Sequence, residues 1–175
     1  MFSVGDKVMH PGHGPGVITG VETRQVIGDA KEYYIIEMLA EGGTLMTPVA
    51  RAEEIGLRPA IDLEAVERLF GLFAELPTTL SSDFRERQDE IEERLKVGDV
   101  FTAAEVLRDL VWYSQERGLT ERDTKLMQRA EESLGGELAL VYDIEMDQAI
   151  KKVQARLTEI IEERAKATTL QASEP

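Results

Sequence analysis

The chain has no cysteine in its 175 residues, which excludes disulfides and thiolate-held zinc or iron–sulfur centres. It has only two histidines, His10 and His13, so nucleophile–base constellations and imidazole metal sites have few available members. No apolar run approaches the ~20 residues that a membrane-spanning helix needs. The opening Met1-Phe2-Ser3-Val4-Gly5-Asp6 lacks a basic stretch followed by an apolar one, so a soluble cytoplasmic protein is expected. Positive charge is also scarce, with 20 Lys and Arg against 34 Asp and Glu, a net charge of -14. Residues 1–60 hold 5 basic and 8 acidic side chains and residues 61–175 hold 15 and 26. Such a field repels nucleic acid at long range, so any DNA contact needs a local basic patch and is weak and salt-sensitive.

Glycine and proline, by contrast, are concentrated at the start. His10-Pro11-Gly12-His13-Gly14-Pro15-Gly16 separates Val4-Gly5-Asp6-Lys7-Val8-Met9 from Val17-Ile18-Thr19-Gly20-Val21. Three glycines and two prolines in seven residues cannot form a helix, so the flanking runs are expected to be strands folded back on each other. Gly28-Asp29 predicts another turn, Glu32–Met38 a third strand, and Gly42-Gly43 a turn into Thr44–Val49. Pro48 belongs at a strand end, because it cannot donate to a ladder. Four or five short strands in about fifty residues suit an SH3-like or Tudor-like barrel.

From Asp62 the period becomes helical, with Leu63, Val66, Leu69, Phe70, Phe73 and Leu76 on one face. A second helix is predicted from near Ser82-Asp83 to Val97-Gly98-Asp99. Thr102 with Glu105 has the capping-box pattern for a third, Thr120 with Asp123 suggests a cap for a fourth, and a long last helix is expected from about Glu137. The fold class is therefore α+β: a small β-barrel over residues 1–58, about five helices over 59–163, and a flexible tail over 164–175.

Little in the chain suggests catalysis. Gly12, Gly14 and Gly16 lead into a strand and are not followed by Gly-Lys-Ser/Thr, so a barrel turn explains them better than a phosphate loop. The two histidines lack a third ligand of matching spacing, and the carboxylates lie on helix surfaces. No enzyme, metal or cofactor is expected. Trp112 and Tyr113 lie off the apolar stripe of the third helix and are read as packing residues, with a partner site as the alternative.

The second helix carries the main candidate. At 100° per residue, Ile91 and Leu95 fall near Phe84, Arg85 and Lys96 flank one side, Arg87 and Arg94 flank the other, and Glu86, Asp89, Glu90 and Glu93 face away. Phe84 either packs in the core with basic stems along its rim, or is an exposed wedge with Arg85 and Arg87 on phosphates. Periodicity does not separate these two arrangements.

In their joint order, several segments carry a family resemblance: Val4-Gly5-Asp6-Lys7-Val8 with His10-Pro11-Gly12-His13-Gly14, Glu22-Thr23-Arg24 with Lys31-Glu32-Tyr33, Pro48, and Ile55-Gly56-Leu57-Arg58. They are followed by Gly98-Asp99-Val100, Ala104–Leu110, Gln115–Leu119 and Gly136–Leu140. Over residues 1–160 the chain resembles the CarD/CdnL family of bacterial RNA polymerase-binding transcription regulators. The resemblance implies an N-terminal Tudor-like domain, similar to the polymerase-interacting domain of transcription-repair coupling factor, that grips the polymerase β subunit. It also implies a helical domain whose aromatic wedge meets promoter DNA at the upstream edge of the melted bubble. Arg24, Met46 and Pro48 are the polymerase-binding candidates; Met46 stands where a basic residue is often found. Phe84 stands where the family usually carries a tryptophan, and with Arg85 and Arg87 forms the DNA-binding set. The expected state is a monomer, associated with the nucleoid through polymerase. Two alternatives stay open: an acidic helical domain that contacts another protein, and a Tudor-like module for a peptide or small ligand. Tyr33 and Tyr34, adjacent in a strand, point to opposite faces, which makes an aromatic cage hard to assemble.

Overall fold

The computed structural model describes residues 1–25, 29–39 and 42–171, leaving Gly28 of the expected Gly28-Asp29 turn and residues 172–175 of the expected tail outside. The described chain forms two compact units, Met1–Asp62 with Gly136–Met146, and Leu63–Gly135 with Asp147–Pro175. The stretch 136–146 groups with the β unit, which a single cut near residue 58 does not anticipate. No helix among the described residues is long and apolar enough to cross a membrane.

In the first unit, strands β1 (Lys7–His10), β2 (Gly14–Arg24), β3 (Lys31–Met38), β4 (Thr44–Pro48) and β5 (Arg58–Pro59) make one antiparallel sheet in the order β4-β3-β2-β1-β5. The predicted hairpin is present, with Val8 opposite Gly16 and His10 opposite Gly14. Gly14 turns at φ +79, and at Gly16 the backbone passes so close to β3 that an added Cβ would lie 2.7 Å from Ile36 Cγ2. A bulge between Ile18 and Gly20 precedes the outer part of β2. Val8, Ile18, Tyr34, Ile36, Met38 and Leu57 are buried together, with Phe2 edge-on to Tyr34. A short 3₁₀ turn (Val49–Arg51) and helix α1 (Ala52–Ile55) lead into β5. The 136–146 stretch joins this core through polar ties: Arg58 pairs with the fully buried Glu137 at 2.5 Å, Ile61 N–H donates to Glu137 Oε2, and the Lys7 ammonium donates to the Leu140 carbonyl.

The second unit is built from α2 (Leu63–Ala74), α3 (Phe84–Lys96), α4 (Val100–Glu116), α5 (Glu121–Tyr142) as far as Gly135, and α6 (Met146–Gln171) from Asp147. Val66, Leu69 and Phe73 of α2 are buried as expected, but Leu63, its first residue, and Leu76, beyond its last, are exposed. The expected Thr102–Glu105 box does not form. Asp99 caps α4 instead, accepting from the Thr102 N–H at 2.8 Å, while Glu105 is drawn to Arg94 at 3.4 Å. The Thr120–Asp123 cap does form reciprocally: Thr120 N–H donates to Asp123 Oδ2 and Asp123 N–H to Thr120 Oγ1. The last helix begins at Met146 rather than Glu137, because α5 continues through Gly135-Gly136 to Tyr142. The turn between them has Asp143 at φ 55 and an Ile144 N–H to Ala139 carbonyl bond. Helix α6 continues to Gln171, past the expected end of the helical region at 163.

Candidate functional site

In the β unit, sheet alternation decides which side chains meet solvent. Tyr34, Ile36 and Met38 are buried, so Tyr33, Ile35 and Glu37 take the opposite face. Register places Pro48 and Glu22 on either side of Tyr33, and Met46 and Gly20 on either side of Ile35. Arg24 is opposite Lys31 at the far end of the β2–β3 pair. Arg24, Met46 and Pro48 therefore lie on one outward face, beside the partly buried Tyr33 and Ile35, which join the candidate surface. Met46 is 36% exposed and Arg24 is exposed, its Nε and Nη2 both donating to Glu22 Oε2, at 3.0 and 2.7 Å. The surface is apolar at its centre with a paired cation at its rim, suited to a protein partner.

The two turn histidines are less available. Their rings lie 4.8 Å apart, and His10 Nδ1 accepts the Gly12 N–H at 3.1 Å. Burial and the neighbouring His13 hold His10 below the usual imidazole value of 6.5, which suits an acceptor. Among the described residues, no three His, Asp or Glu side chains group closely enough to hold a metal ion.

Helix α3 opens at Asp83, whose carboxylate accepts from the N–H groups of Arg85 and Glu86. Phe84, the first helical residue, is 49% exposed, which removes the core-packing arrangement. Arg85 is exposed and its guanidinium stands 5.5 Å from the Phe84 ring centre.

Arg87 corrects the expectation of a phosphate contact. It is 2% exposed, and its guanidinium grips Asp123 through Nε at 3.2 Å and Nη2 at 2.8 Å. Nη1 donates to the Ser81 carbonyl and the Tyr113 hydroxyl, both at 2.9 Å, and the guanidinium packs 4.5 Å from the Tyr113 ring centre. Burial pushes the Asp123 carboxyl upward, but the Arg87 guanidinium, the Thr120 N–H and hydroxyl, and the Gln88 amide overcome it and hold the group at about 2. Arg94 is turned inward likewise, onto the buried Asp109 at 3.1 Å. On the other side of α3, Lys96 pairs with Glu93 at 2.5 Å. The two flanks thus differ: Arg87 and Arg94 hold the helical unit together, and Arg85 faces solvent beside Phe84. Asp123 and Tyr113 were not singled out for this role, though Asp123 appears in the readable capping pattern.

Two family models match the chain in the order the fold requires. Residues 2–61 match the CarD-like/TRCF RID domain, and residues 68–154 match the CarD C-terminal domain. The chain belongs to the CarD family. Among the relatives of this CarD-family chain is the candidate transcription factor YdeB of Bacillus subtilis (strain 168), 28% identical over 144 residues, which are 82% of this chain and 94% of that protein. Two N-terminal structures from Myxococcus xanthus also match. The 72-residue N-terminal domain of CarD is 24% identical and covers 34% of this chain and 79% of its own, with a TM-score of 0.30. The CdnL N-terminal fragment is 34% identical and covers 35% and 86%, also with a TM-score of 0.30. Family membership makes this CarD-like chain a regulator of transcription associated with RNA polymerase.

Proposed function

We propose that the β unit docks on the polymerase β subunit through the outward face of β2, β3 and β4, and that the helical unit presents Phe84 and Arg85 to promoter DNA at the upstream edge of the melted bubble. The observation that carries the DNA half is the half-exposed Phe84 on a capped helix start, next to the exposed Arg85. An apolar ring of this kind inserts where base steps are already unstacked, and the adjacent cation meets phosphate. A wedge that fits only distorted DNA binds the melted promoter more tightly than the closed one, and so shifts the equilibrium toward the open complex. Each 1.4 kcal/mol of that difference is worth about tenfold in the open-to-closed ratio. Phenylalanine lacks the indole N–H, so its contact is apolar only.

The acidic charge fits this arrangement. A chain of net charge -14 that carries one exposed cation beside its wedge binds DNA weakly by itself. Docking on polymerase supplies the high effective concentration that free binding lacks.

The test combines purified RNA polymerase, the protein and a promoter with a fluorescent reporter of melting. Wild type raises the open-complex signal. Phe84→Ala removes that rise while retention on the β subunit persists, and Arg24→Glu weakens retention itself. Retention without any promoter effect of wild type would instead assign the helical unit to a protein partner, and no retention at all would leave the peptide- or ligand-binding module.

A further inference from the structure

The turn that carries Phe84 is tied down more tightly than an exposed aromatic on a solvent-facing helix requires. Arg87 lies one helical turn beyond Phe84 and ties that turn back to the chain just before Phe84, once through its guanidinium and once through its backbone N–H. The Arg87 backbone N–H donates to the Asp83 carbonyl, and the guanidinium donates to the Ser81 carbonyl. From there it reaches Tyr113 on α4 and Asp123 in the first turn of α5. Asp123 is fully buried and takes further hydrogen bonds from Thr120 and from Gln88, the residue next to Arg87. Three helices are thus joined at the base of the residue read above as the wedge.

We propose that Arg87 is a positioning residue, which with Asp123 and Tyr113 fixes the first turn of α3 so that Phe84 is set before it meets DNA. This rests on the promoter-facing reading of Phe84. Two features favour a positioning role over simple packing. The planar guanidinium meets both carboxylate oxygens at once, a geometry that a lysine of equal charge cannot reproduce. The fixed segment also spans Ser81 to Arg87, with Phe84 at its centre. An aromatic ring that enters a base step loses less freedom when its backbone is already fixed, so the ordering cost of insertion is met within the protein fold.

The test uses the full chain. With 4-fluorophenylalanine at position 84, the parent gives one narrow fluorine resonance. Arg87→Lys, which keeps the charge, broadens or splits it while the thermal transition of the helical unit survives. If Arg87→Lys does not fold, Tyr113→Phe, which removes one hydrogen bond, gives the same readout. An unchanged resonance overturns the proposal. In the promoter-melting reaction, Arg87→Lys shortens open-complex lifetime about two- to tenfold when Phe84 is present, the lower part of the span expected of coupled neighbours, and has no effect in a Phe84→Ala background. A loss that persists in that background, or a salt dependence lowered by about one phosphate contact, would make Arg87 a direct DNA ligand and overturn the proposal. If Phe84→Ala alone changes nothing, the promoter-facing reading fails and the positioning role falls with it. Failure of the positioning role alone looks different: Phe84→Ala is harmful, and Arg87→Lys adds to it independently.

Discussion

In the β unit, Arg24, Met46 and Pro48 take their places from a backbone ladder, whereas in the helical unit Phe84 takes its place from a buried guanidinium and a buried carboxylate. The ladder spreads its hydrogen bonds over three strands, none of them dependent on a single side chain. The helical arrangement gathers its fixation in Arg87 and Asp123, which are 2% and 0% exposed. A surface held by register tolerates side-chain change and does not titrate. One held by a buried ion pair is sensitive to single substitutions and to acid.

The largest effect should come from breaking that pair. Asp123→Ala leaves the Arg87 charge buried without its partner and should destabilise the helical unit by about 3–5 kcal/mol. Amide hydrogen exchange read unit by unit checks this: protection at Ile91 and Leu107 falls, while protection at Tyr34 and Ile36 is kept. Equal loss in both units would dissolve the contrast. The matching perturbation of the ladder is Gly16→Ala, whose Cβ would lie 2.7 Å from Ile36 Cγ2 and 2.9 Å from the Glu37 carbonyl oxygen. Overpacking of this kind costs about 1–3 kcal/mol and should lower protection at Ile36 first.

Acid sharpens the comparison in a graded way. The Asp123 carboxyl, normally near 3.8, is held at about 2, so its contribution is fully present above pH 4 and is lost as pH falls toward 2. The lost contribution is about 2 kcal/mol. Near-ultraviolet circular dichroism of Tyr113 and Trp112 between pH 5 and 2 should report the loss, and Asp123→Asn should flatten the profile. The smallest effect on stability is expected at Arg24, whose exposed pair with Glu22 contributes under about 1 kcal/mol. Arg24→Ala should leave the melting temperature nearly unchanged while weakening retention on polymerase.

The same difference governs how much was legible beforehand. Strand alternation needs only neighbours in sequence, so Tyr33 and Tyr34 on opposite faces and Pro48 at a strand end follow from period two and from proline chemistry. The start of α3 at Phe84 was equally readable from Ser82-Asp83. Arg87 was not, because a helical wheel ranks an arginine by polarity and places it at a solvent boundary. Its partner Asp123 is 36 residues away, a separation that no local period encodes. The Thr102–Glu105 box failed for a related reason: Asp99 offered a nearer acceptor, and Glu105 had a cation, Arg94, from another helix. Likewise α5 passes through Gly135-Gly136 because both glycines sit at close approaches, Gly135 against Ile150 and Gly136 against Pro15. An added Cβ would meet those side chains at 2.5 and 3.1 Å, contacts between residues distant in sequence.

The central claim is that Phe84 meets promoter DNA inside the polymerase complex, and photocrosslinking from that position tests it most directly. With a benzophenone-bearing phenylalanine at position 84, irradiation of polymerase–promoter complexes should yield a DNA adduct at the upstream edge of the melted region, stronger in open than in closed complexes. Adducts only to protein, or none to DNA when polymerase retention is intact, would contradict it.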